Sequence, residues 1–130
     1  MALNTIPRIA LTPGEPAGVG PDLCLQLAQQ DLPCQLIAIA SPELLMQRAK
    51  QLDLPIQINE FDSSLPPTTQ TAGCLTVLPI ELAEPAQCGQ TNPLNSRYVL
   101  KTITKATKGC IDGLFDAMVT GPVHKGIIND

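Results

Sequence analysis

Two short segments hold the residue types that could do chemistry. The first is Thr12-Pro-Gly-Glu-Pro-Ala-Gly-Val-Gly-Pro21. Glycines at 14, 18 and 20 allow a tight turn and a close approach of backbone to ligand. A helix starting after them would present unpaired N–H groups to an anion. The spacing G-x-x-x-G-x-G is not the dinucleotide fingerprint, and no Lys-Ser/Thr follows the last glycine as a Walker A loop requires. On spacing alone, a purely structural turn competes evenly with a ligand loop. Glu15 either caps and orders this loop or touches what binds there. The second segment is Thr120-Gly-Pro-Val-His-Lys-Gly126, which contains His124, the one histidine of the chain, next to Lys125. Imidazole changes charge near neutral pH, and a lysine ammonium is a compact point charge suited to phosphate. The competing reading is a structural, hydrogen-bonded histidine.

The flanking sequence predicts what holds these segments. Arg8-Ile-Ala-Leu-Thr12 is a short apolar run ended by Pro13-Gly14, hence a buried strand entering a loop. Pro21 suits the first position of a helix, with Asp22 in its first turn and Leu23, Cys24, Leu27 and Ala28 as its core face. Cys34 to Ala40 reads as a second strand. Ser41 then caps a helix that begins at Pro42 and whose core stripe is Leu45, Ala49 and Leu52. Pro55 to Glu60 and Cys74 to Leu78 are further strand candidates, separated by a Ser/Thr/Pro-rich loop from Asp62 to Gly73. After a loop from Ala83 to Pro93, the period from Asn95 to about Asp112 predicts a helix. Its core face carries Val99, Ile103, Ala106 and Cys110, and its opposite, solvated face Arg97, Lys101, Lys105 and Lys108. Phe115 to Thr120 reads as a buried strand, and Val123 to Asn129 as the start of a helix. Alternating strands and helices predict an α/β sandwich around a mainly parallel sheet. Both glycine-bearing bends would then emerge at its carboxyl edge, where open α/β sheets bind ligands.

Composition narrows the function classes. At 130 residues the chain is one domain's worth, and a 44% hydrophobic content supplies a core. With no Trp, one Tyr and two Phe, that core must be aliphatic. The net charge of −4 and the scarcity of aromatic side chains argue against nucleic acid as a partner. No apolar run suggests a membrane span, and the first residues lack the pattern of a signal peptide, which predicts a cytoplasmic protein. Five cysteines at positions 24, 34, 74, 88 and 110, without a C-x-x-C pair, predict reduced thiols rather than a disulfide scaffold or a zinc site.

The two bends, together with Gln70-Thr-Ala-Gly-Cys-Leu-Thr-Val-Leu-Pro79 and Tyr98, resemble the 4-hydroxythreonine-4-phosphate dehydrogenase (PdxA) family of vitamin B6 biosynthesis. The resemblance runs along nearly the whole chain. It implies a three-layer α/β sandwich like that of isocitrate and isopropylmalate dehydrogenases, incomplete here, with residues 1–130 forming a single α/β domain at the N-terminal end of a longer two-domain enzyme. It implies oxidation of a phosphorylated substrate's secondary alcohol by NAD or NADP, followed by decarboxylation. It also implies a homodimer and a divalent metal (zinc, magnesium or cobalt) bound by residues outside this chain, so no metal ligand and no catalytic residue is assigned within it. The residues expected to line the cleft are Gly14, Glu15, Gly18 and Gly20 on one wall and Thr120, His124 and Lys125 on the other. Related dehydrogenases of four-carbon sugar-acid phosphates such as phosphothreonate, and a non-catalytic phosphate-binding or dimerisation module, are the alternatives. A chain of this length is expected to be inactive alone.

Overall fold

The computed structural model describes residues 6–82 and 95–121. Eight elements follow one another: β1 (Arg8–Thr12), α1 (Gly20–Leu27), β2 (Gln35–Ala40), α2 (Pro42–Gln51), β3 (Gln57–Glu60), β4 (Cys74–Pro79), α3 (Ser96–Ile111) and β5 (Ala117–Thr120). The helix expected after Val123 lies outside the described residues, as does most of the loop expected from Ala83.

All five strands pair in parallel, in the order β3-β4-β2-β1-β5. The chain steps outward from β1 through β2 to β3 with α1 and α2 on one face. It then returns from β4 to β5 with α3 on the other, as a constant crossover hand requires. Three layers result, as the sequence implied. Side-chain alternation feeds both interfaces. Leu36, Ala38 and Ala40 of β2 meet Cys24 and Leu25 of α1, its C-cap Ala28, and Leu45 and Ala49 of α2. Ile37 and Ile39 point the other way, into a cluster with Ala10, Ala106 and Phe115. All six residues of β2 are buried, because this strand has a neighbour on each side and a helix layer on each face.

Local rules set the helix ends. Ser41 caps α2, its side chain accepting from the Leu44 N–H at 3.2 Å, and Pro42 follows at the first turn. The start of α1 has no side-chain cap, and Asp22 pairs with Arg48 of α2 instead of serving the helix end.

Two burial expectations need correction. Leu23 is 53% exposed, because the buried stripe of α1 runs through Pro21, Cys24 and Leu25 and on to the C-cap Ala28. The last strand, expected to be buried, is half open: Val119 is 53% exposed and Ala117 and Thr120 are exposed. Its apolar run suits an interior strand, but it lies at the end of the described sheet with β1 as its paired neighbour.

Burial also fixes two proton equilibria. It pushes the Cys24 thiol from its ordinary 9.0 up to about 12. Burial likewise raises the Tyr98 phenol to about 12, against the opposing effect of its hydrogen bond with the Ser41 backbone. The unfolded chain loses both protons at lower pH than the folded one, so between about pH 9 and pH 12 the folded state binds more protons and stability falls as pH rises. Urea unfolding should show roughly 3 kcal/mol less stability at about pH 10.5 than at about pH 8. At the lower pH, Cys24 should resist a thiol reagent until the protein unfolds.

Candidate functional site

The two glycine bends meet on a single peptide. β1 and β5 run in register with Thr12 opposite Thr120, and just beyond that pair the Gly121 N–H donates to the Thr12 carbonyl at 2.6 Å. The next carbonyl, that of Pro13, is held between two glycines. A Cβ on Gly20 would lie 1.5 Å from the Pro13 oxygen, and one on Gly121 would lie 2.6 Å from it. Glycine at these positions answers to close backbone approach, the role the sequence left open.

The first bend is ordered from within. Gly14 takes a φ of 85°, in the left-handed region that glycine adopts without strain. Glu15 is 7% exposed; its Oε1 accepts from the Ala17 N–H at 3.3 Å and its carbonyl accepts from the Gly18 N–H at 3.0 Å. Glu15 therefore orders the loop. A second clamp comes from α2. The guanidinium of Arg48, 3% exposed, donates to the Pro16 carbonyl at 2.7 Å, to the Gly18 carbonyl at 2.9 Å and to Asp22 Oδ1 at 2.6 Å. A buried cation with three acceptors is the arrangement that makes an interior charge tolerable.

The structure thus brings Gly14, Glu15, Gly18, Gly20 and Thr120 together at the carboxyl edge of β1 and β5. His124 and Lys125 lie outside the described residues. Two residues at this edge were not singled out from the sequence. Arg48 stands among Leu44, Leu45 and Ala49, and an arginine within an apolar helical stripe was the signal available. Thr12 is the other: its Oγ1 is buried without a hydrogen-bond partner at the end of β1.

The electrostatics of this wall are acidic. Two acidic side chains, Glu15 and Asp22, belong to this wall, the Arg48 guanidinium is already occupied by Asp22, and Pro21 removes one N–H from the start of α1. A phosphate gains little here. No group of three or more His, Cys, Asp or Glu gathers among the described residues, so the donor set does not fit a metal ion.

The other crevice the topology offers is filled. β2 and β4 are neighbours whose following helices lie on opposite faces, which makes their carboxyl ends a switch point. Tyr98, 2% exposed, packs there with Leu44 and Val99, and its hydroxyl oxygen accepts from the Ser41 N–H at 2.9 Å. The exposed basic face of α3 borders a groove of about 480 Å³ lined by Ile80, Leu100, Arg97, Lys101 and Lys105 among others, none of them a residue of the two bends.

Comparison with known proteins places this geometry. A family model described as pyridoxal phosphate biosynthetic protein PdxA matches residues 32–130. The chain belongs to the PdxA family. Two relatives named 4-hydroxythreonine-4-phosphate dehydrogenase come from Serratia proteamaculans and Shewanella frigidimarina. The first is 54% identical over 95% of this chain and 37% of its own length, the second 55% identical over 94% and 37%. The chain therefore spans less than two fifths of the curated relatives it matches. Among solved structures, the 4-hydroxythreonine-4-phosphate dehydrogenase from Klebsiella pneumoniae superposes with a TM-score of 0.82 at 18% identity, over 95% of this chain and 39% of that one. A terephthalate 1,2-cis-dihydrodiol dehydrogenase from Burkholderia xenovorans superposes at 0.75 and 18% identity, over 95% and 36%. The PdxA-family chain thus shares its α/β fold with dehydrogenases of different substrates. Among the described residues, no helix is long and apolar enough to cross a membrane.

Proposed function

We propose that this chain supplies the N-terminal part of the active cleft of a dehydrogenase that oxidises 4-phosphooxy-L-threonine with NAD or NADP and decarboxylates the product to 3-amino-2-oxopropyl phosphate. The observation that carries this reading is the Pro13 peptide shared by the two bends, in a chain of the PdxA family. A nicotinamide cofactor, when bound, supplies the hydride acceptor. The chain's own residues shape and orient. Gly14, Glu15, Gly18 and Gly20 form one fixed wall, and Thr120 begins the other. Because the first wall is acidic, this reading gives the substrate phosphate to Lys125, with His124 as a hydrogen-bond partner to substrate. No step is assigned to a metal ion, because the described residues hold no donor set for one. The same reading takes the enzyme to be a cytoplasmic homodimer.

The test is turnover by the protein extended to the length of its relatives. Reduced nicotinamide should form with 4-phosphooxy-L-threonine, and the 130-residue chain alone should form none. In the extended protein, Lys125→Ala should raise the substrate KM about tenfold, the loss of one modest ionic contact. Preferred oxidation of phosphothreonate would shift the substrate assignment, and unchanged kinetics in Lys125→Ala would remove that residue from the site.

A further inference from the structure

We propose that Arg48 is a positioning residue: it presets the peptide orientations of the first glycine bend, so that the bend meets its ligand already in the binding geometry. This rests on the cleft assignment above for its ligand, though not for its geometry. In a trans peptide the C=O and the following N–H point in opposite directions. Arg48 draws the Pro16 carbonyl to 2.7 Å and the Gly18 carbonyl to 2.9 Å, which turns the Ala17 and Val19 N–H groups away from the guanidinium. The Ala17 N–H is then taken by Glu15 Oε1. The Val19 N–H belongs to the residue that precedes α1, and Val19 is 57% exposed beside the buried Arg48. One guanidinium thus sorts the loop's polar groups into carbonyls facing inward and an amide facing outward. Asp22 completes the set by holding the same Nη1 at 2.6 Å. A planar fork is needed to reach Pro16 with one nitrogen and Gly18 with the other, which a lysine ammonium cannot reproduce.

Two measurements on the full-length enzyme separate this role from its premise. Amide exchange of residues 17–20 should rise about tenfold in Arg48→Lys relative to the wild type, with the strands unchanged. In the same variant, the KM for substrate or nicotinamide should rise about tenfold while kcat stays within a factor of about three, since preorganisation of binding is lost and not chemistry. Unchanged exchange at 17–20 overturns the positioning role. Raised exchange with unchanged KM also overturns it, because the clamp would then be structural only. Should Arg48→Lys fail to fold, Asp22→Ala removes one of the three acceptors and is held to the same two criteria with smaller shifts. A wild-type enzyme that turns over neither phosphorylated substrate refutes the cleft assignment, and the exchange measurement still decides the geometry.

Discussion

Gly20→Ala should destabilise the protein by about 3 kcal/mol or more in urea unfolding, the upper end of what overpacking costs. The added methyl would sit 1.5 Å from the Pro13 carbonyl oxygen, and that atom is backbone with no rotamer into which it can retreat. Gly121 also lies close, since a Cβ there would come within 2.6 Å of the same oxygen, which leaves the peptide little room to yield. Gly18→Ala is the internal control. Its Cβ would approach nothing closer than 3.4 Å, so the change should stay within about 0.5 kcal/mol. Similar losses for the two variants would mean that Pro13 moves freely, and the shared-peptide geometry would fall with that result.

Ile37→Ala should cost about 3–4 kcal/mol, and Ile37→Val about 1 kcal/mol. Ile37 is wholly buried in the central strand, flanked in the sheet by Ala10 and Thr76. On its face, Ile39 and Phe115 are the other bulky residues among the buried members of a cluster that also holds Ala10 and Ala106, with Phe61, Leu78 and Met118 among the partly buried side chains at its edge. Alanines have no side-chain reach with which to close a void, and partial collapse is what keeps such losses small elsewhere. A loss under about 1.5 kcal/mol for Ile37→Ala would show that α3 settles onto the sheet after truncation.

The arrangement of elements was legible because each is coded locally. Ser41-Pro42 writes a helix start, Cys34 to Ala40 is an unbroken apolar run of a doubly covered strand, and the period of residues 95–112 is unambiguous. Exposure of Val119 was not legible. Whether an apolar strand is central or terminal depends on the order of strands in space, and β5 reaches its place by crossing two others. The meeting of the two bends followed from assuming one parallel sheet, and the Thr12–Thr120 register realises it. The clamp by Arg48 was hidden for another reason: its partners are carbonyls thirty or so residues earlier, and every residue carries a carbonyl. Only the misfit of a charge inside an apolar stripe pointed to it. The vacant hydroxyl of Thr12 likewise belongs to packing, since threonine in a strand is unremarkable until its surroundings are known.

The Pro13 oxygen packs so closely against Gly20 and Gly121 that neither position has room for a side chain. If the proposed cleft opens and shuts, this side is therefore the anvil, and the travel belongs to whatever part of the enzyme faces it, carried as a rigid body about a hinge.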